Sequence, residues 1–177
     1  SGYIGGQYSE HGRDIAVDGD GNVYVIGLTR STEATFPVNV GPDLTHNGSD
    51  DVFVVRVNAS GTAPLDYCGY IGGDEDETGM GITVDGEGNV YITGYTESTE
   101  GTFPVLVGPD LTHNGSNDAF VAKVKANPSD PNPLNNFHYC GYIGGIDYRE
   151  YGCDVAIDSL GNAYVTGYTG SDETTFP

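Results

Sequence analysis

Oxygen ligands at alternate positions are the first chemistry this chain offers. Asp18-Gly19-Asp20-Gly21-Asn22 sets three of them in the order that Ca2+-binding loops use. The stretch returns with Asp85, Glu87 and Asn89, and again with Asp158 and Asn162, where Leu160 removes the central oxygen. No glutamate stands at the spacing that closes a helix-loop-helix calcium site. A second reading competes: hairpin turns in which Asp and Asn bond the local backbone and Gly supplies a positive φ. The loss of the central oxygen in the third copy favours the turn. Asp18, Asp20, Asn22, Asp85, Glu87 and Asn89 remain the candidate metal ligands, with Ca2+ as the candidate ion.

Carboxylates are also concentrated in Asp74-Glu75-Asp76-Glu77, directly after a Gly-Gly pair. The matching loops are Gln7-Tyr8-Ser9-Glu10 and Ile146-Asp147-Tyr148-Arg149-Glu150. A run of like charge is ordinarily a solvated loop that repels itself. Varied residues on a repeated framework also suit recognition, so Asp74, Glu75, Asp76, Glu77, Tyr8 and Tyr148 are the candidate ligand-facing rim. Tyr151 could join them or serve as packing.

Other constellations carry less. His46 and His113 lie near Asp43, Asp50 and Asp51, and near Asp110 and Asp118, at the same spacing, which suggests a repeated packing role more than a metal site. No Gly-x-Ser-x-Gly elbow is present, and no Cys-His arrangement recurs, so no catalytic residue is assigned. Asn47, Asn58 and Asn114 open N-glycosylation triplets. Of the three cysteines, Cys140 with Cys153 is the better candidate pair. The alternative is three small thiols, mostly buried.

The charge balance bounds the partners. With 26 acidic and 6 basic residues the net charge is -20. Such a surface repels nucleic-acid backbones and anionic membranes, leaving cations, basic proteins and neutral glycans. No apolar run approaches a membrane-spanning length, so membrane insertion is not expected.

These residues sit on a repeated framework. Gly41 to Ser49 recurs letter for letter as Gly108 to Ser116, and Gly-Tyr-Ile-Gly-Gly opens at Gly2, Gly69 and Gly141. The period is 67 residues and then 72, the second copy carrying five extra residues between Ala126 and His138. A unit of this size cannot bury its own apolar faces, so neighbouring units must do it for each other. Abundant Gly (28) and Tyr (13), without Trp, favours strands and tight turns. The second copy reads as four strands: Gly81 to Asp85, Val90 to Thr96, Asp118 to Lys125 and Phe137 to Ile143. The fold class is all-β, built from tandem four-stranded antiparallel blades of a β-propeller. The repeat units run 1–68, 69–140 and 141–177, together one repeat domain.

The ordered string Tyr-Ile-Gly-Gly, then Gly-x-(Ile/Val)-x-(Val/Ile)-Asp-x-x-Gly-Asn-x-Tyr, Thr-Phe-Pro and Asp-(Val/Ala)-Phe-Val-x-(Arg/Lys)-Val resembles the β-propeller repeat family, nominally seven-bladed. The resemblance covers essentially the whole chain. It implies a secreted or cell-surface protein of bacterial or archaeal type, with no assigned catalytic residues. Three first halves of the unit but two second halves cannot close a ring, so further repeats or partner chains are expected to complete it. The functional expectation is a non-enzymatic extracellular repeat scaffold or interaction module that self-associates or packs on neighbouring repeats, as in a filament or surface assembly. The alternative is a ligand- or glycan-binding propeller, or the non-catalytic part of a larger secreted enzyme.

Overall fold

The computed structural model describes residues 2–61, 65–146 and 148–176. Sheet 1 is a four-stranded antiparallel meander of β1 (Glu10–Val17), β2 (Val23–Thr29), β3 (Asp51–Val57) and β4 (Tyr67–Ile71). Sheet 2 repeats it with β5 (Glu77–Val84), β6 (Val90–Thr96), β7 (Asp118–Val124) and β8 (Phe137–Ile143). Sheet 3 consists of β9 (Glu150–Ile157) and β10 (Ala163–Thr169). The only helical segment among the described residues is a 3-10 turn at Pro133–Asn136. These are the expected propeller blades. Three of the four strands foreseen in the second copy hold to within a residue. The first begins four residues earlier, at Glu77, because its Gly79-Met80-Gly81 stretch stays in the sheet around a bulge.

The bulge and its glycines serve packing. First strands β1, β5 and β9 approach one another, and a Cβ on Gly81 would stand 2.7 Å from Asp154 Cα of the next sheet. Close backbone approach of this kind admits only glycine. One amide that the ladder leaves free is satisfied across the junction, where the Ile82 N–H donates to Asp14 Oδ2 at 2.9 Å.

Between sheets 1 and 2 lies one apolar core. Tyr24, Ile26, Val52 and Val54 of sheet 1 meet Ile82, Val90, Ile92, Phe120 and Ala122 of sheet 2. Phe36 and Phe103, from the two Thr-Phe-Pro segments, are buried against Tyr70 and Tyr142.

The letter-for-letter repeat has a distinct task. In copy 1 it folds back along the outer edge of β4, with the Asp43 and Tyr70 backbones exchanging two hydrogen bonds (3.1 and 2.8 Å) and Cys68 N–H donating to the Val40 carbonyl at 2.8 Å. Copy 2 repeats this on β8 through Val107 and Asp110. An outer strand left bare would template unwanted pairing, and this passage covers it. Of the two cysteine readings, the Cys140–Cys153 pair is not formed and the mostly buried thiols are found: Cys68, Cys140 and Cys153 are all free, with Cys140 buried in the core and Cys153 exposed on β9. Burial pushes the Cys68 thiol up to about 12.

Candidate functional site

The candidate residues separate to two ends of the sheets. The β1–β2, β5–β6 and β9–β10 turns share one geometry. Gly21, Gly88 and Gly161 hold φ of +83, +83 and +80°, the left-handed region that the tight turn demands. In the second turn, Asp85 Oδ1 accepts from the Glu87 N–H (3.0 Å) and the Asn89 N–H (2.9 Å), while Oδ2 accepts from Asn89 Nδ2 (2.9 Å). The Lys123 ammonium stands 3.3 Å from the same Oδ2. Asp18 receives the corresponding bonds from Asp20, Asn22 and Tyr24.

Asn22 and Asn89 then extend the turn outward, each Oδ1 accepting a backbone N–H from the β3–β4 or β7–β8 connection at 3.1 Å. Burial pushes the Asp85 carboxyl up, but the hydrogen bonds from Asn89, Glu87 and Lys123 outweigh it and hold the group below its ordinary value. Asp18, Asp20, Asp85 and Glu87 line a cleft of about 350 Å³ between neighbouring turns, with Arg56 on its wall. The Asp18 and Asp85 oxygens that would face an ion there are engaged by protein donors.

At the opposite end, the loops after the Gly-Gly pairs carry the rim residues. Tyr8 (61%) and Tyr148 (65%) are exposed, as are Asp74 and Glu75, and Asp76 is half-buried. Tyr151 instead packs edge-on against Tyr95, with ring centroids 4.6 Å apart. Glu77 departs from the expected rim. It is wholly buried as the first residue of β5, where its carboxylate accepts from the Thr96 hydroxyl and the Gly73 N–H (2.8 Å). A buried carboxyl needs such donors, and an exposed loop position would not supply them. Glu150 takes the equivalent place in sheet 3, bonded by Thr169 and Ser171. The signal was legible only as the recurrence of Glu10, Glu77 and Glu150 two positions before each first strand's first Gly.

The two histidines are packing residues. His46 meets Tyr70 edge-on at 5.5 Å, and His113 meets Tyr142 at 5.7 Å. The glycosylation candidates are tied into their own loops: Asn47 Nδ2 donates to the Thr45 carbonyl, Asn114 Nδ2 to Asp110 (2.8 Å), and Asn58 Nδ2 to Asp66. Among the described residues no group of three or more His, Cys, Asp or Glu side chains is arranged to hold a metal.

The outward faces of sheets 1 and 3 expose apolar side chains. Tyr24 and Tyr91 are 1% and 0% exposed because the next sheet covers each, whereas their counterpart Tyr164 on β10 is 60% exposed. Ile82 and Val155 are buried against the preceding sheet, and their counterpart Ile15 on β1 is 60% exposed. The family model described as Beta-propeller repeat matches residues 2–33, 68–101 and 141–173. No curated protein matches the chain.

Proposed function

The chain belongs to the beta-propeller repeat family, and on that premise we propose that it is a non-catalytic extracellular scaffold whose outward sheet faces take up further blades. Those blades come from neighbouring repeats or from a second copy of the chain, in a surface assembly or filament. One observation carries the reading. Ile82, Val155, Tyr24 and Tyr91 are buried at the internal junctions, whereas their counterparts Ile15 on one side and Tyr164 on the other are left open, with Val17 and Tyr168 beside them, each 60% exposed. An apolar surface of this kind rarely stays bare in a soluble particle. Because the two faces differ, their contact is head-to-tail and extends rather than closing on itself, unless the rotation completes a ring. β10 adds a second feature, since its one hydrogen-bonded neighbour among the described strands is β9.

Light scattering across a concentration series tests this. The expected particle mass exceeds that of one chain, and Ile15→Lys reduces it to a single chain. A single-chain mass at every concentration would sink the reading. The exposed Tyr8 and Tyr148 support a second one, a glycan- or protein-binding rim at the loop end, where tyrosine offers a flat amphipathic contact. A glycan-array signal lost in Tyr148→Ala is its expected signature.

A further inference from the structure

Two carboxyl groups that the scaffold role leaves unused meet at each junction between sheets. At the first, Asp51 opens β3 of sheet 1 and Glu77 opens β5 of sheet 2, and both are wholly buried. The Glu77 N–H donates to the Asp50 carbonyl at 2.7 Å, clamping the two strand starts together. Their carboxyls converge over Gly72: a Cβ at that position would stand 2.7 Å from Asp51 Cγ and 2.7 Å from Glu77 Oε2.

The second junction repeats the arrangement. The Glu150 N–H donates to the Asn117 carbonyl at 2.8 Å, Asp118 and Glu150 are both wholly buried, and the Asp118 carboxyl fills the space beside Gly144. Two anions this close, away from water, repel far more strongly than they would in solvent. The ion pairs among the described residues are Arg30–Asp50, Arg56–Asp66 and Lys123–Asp85, so none neutralises these groups. Asp51 is met by backbone N–H groups of Asn47 and Gly48, both at 3.0 Å. The titratable groups that face it from the packed-back passage are His46 and Asp43, and Asp76 lies beside Asp50. At the second junction His113 faces Asp118, and Glu97 is held off by Asn117.

We infer that Asp51 and Glu77 share one proton, and that this proton lets sheets 1 and 2 close, making their junction a pH-dependent latch. Burial pushes the Glu77 carboxyl up to about 7, against the hydrogen bonds from Thr96, Gly73 and Ser98. Burial likewise raises Asp51 and Asp118. An acid whose folded-state affinity for its proton is raised stabilises the fold fully below its unfolded pKa. That contribution is lost as pH rises through the folded value. The latch is therefore shut in mild acid and loosens toward neutrality.

Thermal melts of the chain from about pH 5 to about pH 8 test the latch. The wild-type Tm is expected to fall as pH rises. Glu77→Gln, which keeps the size and a hydrogen-bond donor but cannot ionise, is expected to remove most of that fall. A folded Glu77→Gln variant with an unchanged slope would overturn the inference. Should the variant not fold, carboxyl 13C NMR on the wild type decides: a Glu77 midpoint near 7 supports the shared proton, and one in the ordinary range near about 4.3 overturns it. Stabilisation by Ca2+ at about pH 8 that Glu77→Gln abolishes would also overturn it, by assigning the pair to a cation.

Discussion

Asp85 uses both carboxylate oxygens inside its own turn, and that decides what alternating oxygens mean in this chain. The spacing of Asp18, Asp20 and Asn22 is compatible with a calcium loop, but a turn of this size brings the backbone N–H groups of the second and fourth following residues to one Asp oxygen. Replacing Asp85 by Ala removes the acceptor for the Glu87 and Asn89 backbone N–H groups, the Asn89 amide and the Tyr91 hydroxyl, and the anionic partner of Lys123. Solvent reaches the turn, so the expected loss is about 1–2 kcal/mol, read by urea denaturation. Excess Ca2+ is expected to leave the wild-type Tm unmoved; a Ca2+-dependent rise that disappears in the Asp18→Asn, Asp85→Asn double variant would restore the metal reading. The hydrogen bonds hold Asp85 below its ordinary value, so its contribution is present above pH about 3.8 and declines as pH falls through the folded value.

At the scale of the element, the first strand of each sheet is the part that sequence pattern describes least well. Glu77 to Met80 precede the strand expected from Gly81, yet they lie in β5, and Gly81 brings that strand against β9. Gly81→Ala would drive its Cβ into the Asp154 backbone, which cannot turn aside as a side chain can. The expected cost is about 1–3 kcal/mol with the sheets forced apart, measured by denaturant unfolding with near-UV circular dichroism for the tyrosine environment. β7, by contrast, follows its pattern closely: Phe120, Ala122 and Val124 lie in the shared core. Phe120→Ala is expected to cost about 3–5 kcal/mol, since the cavity would open at the centre of the junction. The Gly41 to Ser49 passage behaves as part of an element too. Its backbone pairs with β4, so the Asp43 amide is expected to exchange more slowly than those of an ordinary polar loop.

The whole molecule combines two opposed pH responses. Turn carboxylates such as Asp85 lose their contribution in strong acid, while the Asp51–Glu77 pair between sheets 1 and 2 loses its contribution toward neutrality. Stability is thus expected to peak on the acidic side of neutral, and a calorimetric series against pH checks it; a flat profile from about pH 5 to about pH 8 would leave no role for that pair. The sequence by itself determined the repeat, the all-β blades, the hairpin turns and most strand limits, because those depend on local spacing: period-2 apolar residues, Gly at positive φ, and Asp with Asn four residues apart. Only the tertiary structure decided that Glu77 leaves an acidic loop to become a buried partner of Asp51, and that the nine-residue repeat covers a sheet edge. It likewise decided that Ile15 and Tyr164 stay open where Ile82 and Tyr91 are covered. Each of these depends on which residues from distant segments meet across a junction, and no local pattern encodes a distance between two sheets.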